Sequence, residues 1–224
     1  MLDELINAKD FAESVKYSGD TLLADQSFKT QNDEIDNYFS LNSMLVTPTI
    51  TPIIANSINK VIHRLQIPES SVKAYVYASP EIQAECYAGN DTDCVIRLSS
   101  GLIDILENEE IEFVIGHELG HFLYDHGLAI KSNQNDSLEF LIQKRAQEIS
   151  ADRIGLLASE SLDVSIRAMM KTMSGLTSKY LNFDIAAFLS QLSNTSNYKS
   201  QINTNSSHPS MFCLLYTSDA ADDL

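Results

Sequence analysis

His117 and His121 stand four residues apart with Glu118 between them, in the stretch His117-Glu118-Leu119-Gly120-His121. On a helix, positions i and i+4 share one face a turn apart, so two imidazoles at this spacing can converge on one zinc ion at about 2.0–2.1 Å each. Glu118 follows the first histidine on the same helix, where it reaches a water on the metal more readily than the metal itself. That is the position for a general base: zinc lowers the water's pKa and the carboxylate takes the proton during attack on a carbonyl. A catalytic zinc needs a third protein ligand and leaves the fourth position open. Glu148-Ile149-Ser150-Ala151-Asp152 offers it. Glu148 and Asp152 are again i and i+4, so both point one way, and an inward carboxylate pair needs partners. Glu148 on the metal and Asp152 on the free N–H of a ligand histidine would supply them. Ala151 keeps bulk low where two helices must approach.

The elements that carry these residues follow from periodicity. Ile111, Val114, Ile115, Leu119, Phe122 and Leu123 give an apolar face to a helix over 109–126. Lys131 to Asp136 is polar and reads as a loop. Ser137 is placed to cap a long helix to about Ala158, and a further helix is predicted from about Leu162 to Met173, broken at Ser174-Gly175. Upstream, Thr51 and Pro52 open a helix that ends near Pro68. Val72 to Ala78 has the β-branched and aromatic content of a strand. Ile82 to Ala88 and Cys94 to Leu98 flank Gly89-Asn90-Asp91-Thr92 as a hairpin, and Ser99-Ser100 caps a short helix from Gly101 to Glu107. Asn182 to Leu192 suggests one more helix, followed by a Ser/Asn-rich loop to Ser207.

HELGH followed by Glu148-Ile149-Ser150-Ala151-Asp152 resembles the M48 zinc endopeptidases of the gluzincin group. The resemblance extends to Val95 through Leu102 before the helix, to Ala151 through Leu156, and to Ser207-His208-Pro209-Ser210, about residues 50–211 in all. It implies an α+β, zincin-like metalloprotease domain, mainly helical with a small mixed β-sheet. It implies one Zn²⁺ per chain on His117, His121 and Glu148, with Glu118 as base and proton donor. His208 would help hold the oxyanion or gate the fourth metal position. The resemblance further implies a polypeptide substrate that pairs with an edge strand within Ile82–Ala88 or Cys94–Leu98. Gln83 stands where the family often has Asn, and the basic residue usual after His-Pro is absent.

The whole sequence, 224 residues with 15 Lys+Arg, 31 Asp+Glu and a formal charge of -16, fits one domain with an appendage: a helical segment over 1–46, the metallopeptidase domain over 47–212, and a tail over 213–224. That tail, Cys213 to Leu224, resembles translated adapter read-through. The acidic balance excludes a sequence-independent grip on nucleic acid. No apolar run reaches a membrane span and no secretory signal is visible, so a soluble, cytoplasmic member is expected. Three cysteines are too few for a disulfide framework, and Cys86 and Cys94 read as small buried thiols beside the hairpin turn. His126, near a helix end, reads as a partner for the helix dipole rather than a ligand. Oligomeric state is left open. A domain that holds zinc and binds extended polypeptide without cutting it remains the alternative function.

Overall fold

A computed structural model of the chain describes residues 38–88, 94–124, 126, 138–188 and 190. The first 37 residues of the expected appendage, the hairpin turn, the loop from 127, the Ser137 cap, His208 and the tail lie outside them. The described elements are β1 (Met44–Leu45), α1 (Pro52–Arg64), β2 (Val72–Tyr77), β3 (Ala84–Ala88), β4 (Cys94–Ser99), α2 (Ser100–Ile105), α3 (Asn108–Leu123), α4 (Leu138–Ser159) and α5 (Leu162–Ser174). Helices predominate, with one small mixed sheet, as the sequence predicts. No helix among the described residues is long and apolar enough to cross a membrane.

The four strands run in the order β1-β2-β4-β3. β2 and β4 are parallel, while β1–β2 and β3–β4 are antiparallel. The chain leaves β2, crosses to the outside of the sheet as β3, and returns through the hairpin into the middle as β4. Of the two segments expected to offer an edge, Cys94–Ser99 is therefore interior and Ala84–Ala88 is the edge. Alternation along β4 sends Cys94, Ile96 and Leu98 into the core beneath the helices. Val95 and Arg97 point to the opposite face. There Val95 packs with Phe39 and Tyr75, and the Arg97 guanidinium lies 4.2 Å from the Phe39 ring centroid and 4.1 Å from that of Tyr77. The described end of the appendage thus joins the sheet, through Phe39 on its face and Met44–Leu45 as a strand.

Pro52 opens α1 as expected, but Thr51 does not cap it. The Thr51 hydroxyl accepts from the Thr47 N–H at 3.1 Å and donates to the Thr47 carbonyl at 3.3 Å, closing the preceding turn instead. Ser99 does cap α2, accepting from the Leu102 N–H at 3.1 Å, while its own O–H donates to the Glu81 carbonyl at 2.6 Å. Two positions on, the chain needs glycine: a Cβ on Gly101 would sit 2.7 Å from the Pro80 carbonyl oxygen. α5 ends where the sequence breaks it, with Gly175 at φ 68°.

α3 departs from the single apolar stripe read from its periodicity. It is the central helix, packed against α1, α4, α5 and β3, and Glu110 and Glu112 are each 1% exposed. Glu112 accepts from Lys60 of α1 at 2.8 Å and pairs with Arg64 of the same helix. Glu110 accepts from the fully buried Lys171 of α5 at 2.6 Å and from the Glu107 backbone N–H at 2.8 Å. The cations that make these burials tolerable come from distant sequence, so local patterning carries no signal of them.

Candidate metal centre

α3 and α4 cross on a seam of small residues. A Cβ on Gly116 would lie 2.3 Å from the Ala158 Cβ, and one on Gly120 would lie 2.8 Å from the Ala151 Cα. Gly155 answers from α4, where a Cβ would meet the Phe113 ring at 2.8 Å. Backbones this close let side chains one turn along the seam meet. His117 and His121 project from α3 and Glu148 and Asp152 from α4. The role expected of Ala151, low bulk at the crossing, matches its full burial here.

His117 Nε2 and His121 Nε2 are 3.1 Å apart, and Glu148 Oε2 lies 3.4 Å from the first and 3.7 Å from the second. Tetrahedral zinc with bonds of about 2.0–2.1 Å separates its donors by about 3.3–3.4 Å. The three measured separations bracket that value, and the point equidistant from the three atoms in their plane lies about 2.0 Å from each. Two imidazoles and a carboxylate are also the donor chemistry that zinc takes. The residues present therefore fit the metal.

The other ring nitrogens are held as well. His117 Nδ1 is 2.8 Å from Asp152 Oδ1, so Nδ1–H donates to the carboxylate and Nε2 is turned to the three-atom cluster. His121 Nδ1 is 2.9 Å from His126 Nδ1. With Nδ1–H of His121 as the donor, its Nε2 lone pair also faces the cluster. His126 is nearly buried, its amide donates to the His121 carbonyl at 3.0 Å, and its ring stacks on Tyr124 at 5.6 Å between centroids. The sequence reading placed this histidine at the helix dipole. Only its amide serves the helix end, while its ring faces a ligand candidate. Its spacing from His121 carries no signal of that, because it depends on how the chain turns after Leu123.

Burial by itself would lower the His117 pKa. The hydrogen bonds to Asp152 and Glu148, together with the charges of Asp152 and Glu118, outweigh it and hold the imidazolium well above the usual range. The carboxylates that favour the charged imidazole would equally favour a metal cation at this place. Glu118 is 6% exposed, and its charge acts on His117 and on the Cys86 thiol of β3.

The profile of peptidase family M48 matches residues 51–142, which include α1, the sheet from β2 onward and the histidine pair but not Glu148. The plastoglobule-localized metallopeptidase 48 of Arabidopsis thaliana, a chloroplast protein, is 27% identical over 138 residues, covering 52% of this chain and 39% of its own. Metalloprotease YcaL of Escherichia coli is 44% identical over 54 residues, 24% of this chain and 20% of its own. Protease HtpX of Xanthomonas euvesicatoria is 39% identical over 46 residues, 20% of this chain and 16% of its own. The chain spans less than half the length of these relatives. No solved structure matches. The cytoplasmic location expected from the sequence is overturned by this comparison, since one relative is by name plastoglobule-localised. The physical reason is that the absence of an apolar span from the described helices bears on crossing a membrane and not on lying at one. Over the stretch that carries the histidine-bearing helix, the chain is thus similar to peptidase family M48 and to plant and bacterial relatives named as proteases.

Proposed function

We propose that this protein is a zinc-dependent endopeptidase, with His117, His121 and Glu148 holding the metal and Glu118 acting as general base. When bound, zinc supplies Lewis acidity, acidifying a water and polarising the scissile carbonyl. Glu118 takes the proton from the attacking water and passes it to the leaving amine. Asp152 and His126 keep the two imidazoles in the tautomer and orientation that ligation needs. The α3–α4 seam keeps Glu148 within reach of both. Extended substrate lies along the free edge of β3, where backbone hydrogen bonds give affinity with little sequence preference.

The observation that carries the reading is the convergence of three donor atoms at zinc-like separations from two successive helices. Glu118→Gln tests the mechanism. The variant should bind as much zinc as the wild type and cleave casein or a model peptide at least about 100-fold more slowly. Equal rates would remove Glu118 from the reaction. A wild-type protein with stoichiometric zinc and no chelator-sensitive cleavage would instead favour the silent polypeptide binder.

A further inference from the structure

Cys86 and Cys94 have no place in the metal centre, yet their sulfurs lie 2.8 Å apart. Both are free thiols. In the β3–β4 register Cys86 faces Ile96 and Ala88 faces Cys94. The cysteines are therefore a diagonal pair on one face of the hairpin, the kind that strand twist draws together. That face is the helix side, where Cys94 belongs to the core and Cys86 packs against it. A disulfide bond of about 2.05 Å needs an approach of less than an ångström from here. Cys94 has no exposed surface, whereas Cys86 is partly exposed on the outermost strand.

We propose that Cys86 and Cys94 are a redox-active dithiol that closes reversibly into a cross-strand disulfide, stapling the edge strand β3 to β4, with a low-molecular-weight disulfide as oxidant. Cys86 sulfur, as thiolate, attacks the oxidant's S–S bond, forms a mixed disulfide and expels one thiolate. Cys94 sulfur then attacks the Cys86 sulfur, forms the protein disulfide and expels the second thiolate. The two thiol protons pass to the two departing thiolates, so the protein loses two electrons and two protons and the oxidant gains both. The buried Cys94 never has to meet the oxidant. The Cys86 pKa is pushed well up, first by its hydrogen bond with Cys94, then by burial and by the charges of Cys94 and Glu118. Closure is accordingly slow near neutral pH and faster in alkali. It depends on strand geometry alone and not on the metal or on proteolysis.

The test uses the 224-residue, zinc-loaded chain with Cys213→Ser, which leaves only the pair. It is incubated with glutathione disulfide at about pH 8.5, alkylated and mapped without reduction. The expected result is a Cys86–Cys94 linked peptide in most chains and a mass about 2 Da lower, both reversed by dithiothreitol. Cys86→Ser should lose the link and leave Cys94 unmodified while the chain stays folded. Cys94→Ser should stop at a glutathione adduct on Cys86. Both thiols recovered separately alkylated from folded protein, or a glutathione adduct persisting on Cys86 with Cys94 intact, would overturn the proposal.

Discussion

Replacing Gly116 with alanine would place a methyl 2.3 Å from the Ala158 Cβ, where carbon atoms in contact need about 3.5–4.0 Å. Both atoms are fixed to helix backbones, so no rotamer change relieves the clash and α3 must move from α4 by about 1.2–1.7 Å. Overpacking of this kind costs about 3 kcal/mol at its upper range, and the better helix propensity of alanine returns about 1 kcal/mol. A net loss of about 2 kcal/mol is expected. The same movement carries Glu148 Oε2 from about 2.0 Å to roughly 3 Å from the point it shares with the two imidazoles, which is beyond a zinc–oxygen bond. Zinc affinity should fall by more than about tenfold, the loss of one weak ligand. Ala158→Gly in the same chain removes the worst contact. What remains, 3.0 Å to the Gly155 Cα and 3.1 Å to the Ile154 carbonyl, asks for a few tenths of an ångström. Urea unfolding of the metal-free proteins and chelator-competition zinc titrations of the wild type, both single variants and the double variant would measure the coupling, expected above about 1 kcal/mol. A Gly116→Ala protein as stable and as tight for zinc as the wild type would refute the seam as the device that positions the site. So would a double variant no better than Gly116→Ala.

Asp152→Ala removes the acceptor of His117 Nδ1 and should weaken zinc binding by about 10–100-fold, measured by the same competition; an unchanged affinity would mean that the 2.8 Å contact orients nothing. Lys171→Met leaves the buried Glu110 with only the more distant Arg167, at 3.9 Å, and should cost about 3 kcal/mol of unfolding free energy, and adding Glu110→Gln should restore much of it. Because His117 in the metal-free protein keeps its proton to a pH well above the usual imidazole range, zinc must expel that proton to bind. Apparent zinc affinity should therefore rise about tenfold per pH unit up to the folded His117 pKa and then level. For the metal-free fold the sign is opposite. The stabilisation from protonated His117 is complete below its unfolded pKa near 6.5 and is lost as pH rises through the folded value. Affinity that stays flat across this range, in buffers of equal ionic strength, would show that no proton occupies the site.

Most helices and strands could be read locally because their signals are local. Apolar spacing over Ile54, Ile58, Val61 and Ile62 makes α1, Ser99 carries its own cap, and Gly175 supplies the left-handed turn that stops α5. Thr51 failed as a cap because the Thr47 backbone competes for the same hydroxyl. β4 could not be told from an edge strand because a hairpin has the same sequence whichever arm is buried, and the choice rests with β2, which pairs in parallel from the far side.

The candidate site divides in the same way. Sequence alone determined the candidate donors and their faces, since the i, i+4 spacing of His117 with His121 and of Glu148 with Asp152 follows from helix geometry. Only the tertiary structure decided that the two faces meet, through the glycine and alanine seam that brings Glu148 Oε2 to 3.4 Å and 3.7 Å from the imidazoles. The same packing turned His126 onto His121 and gave the buried Glu110 and Glu112 their cations. The reason is physical: helical phase is a property of neighbours in sequence, whereas the partner of a buried polar group is whatever the packed chain sets against it.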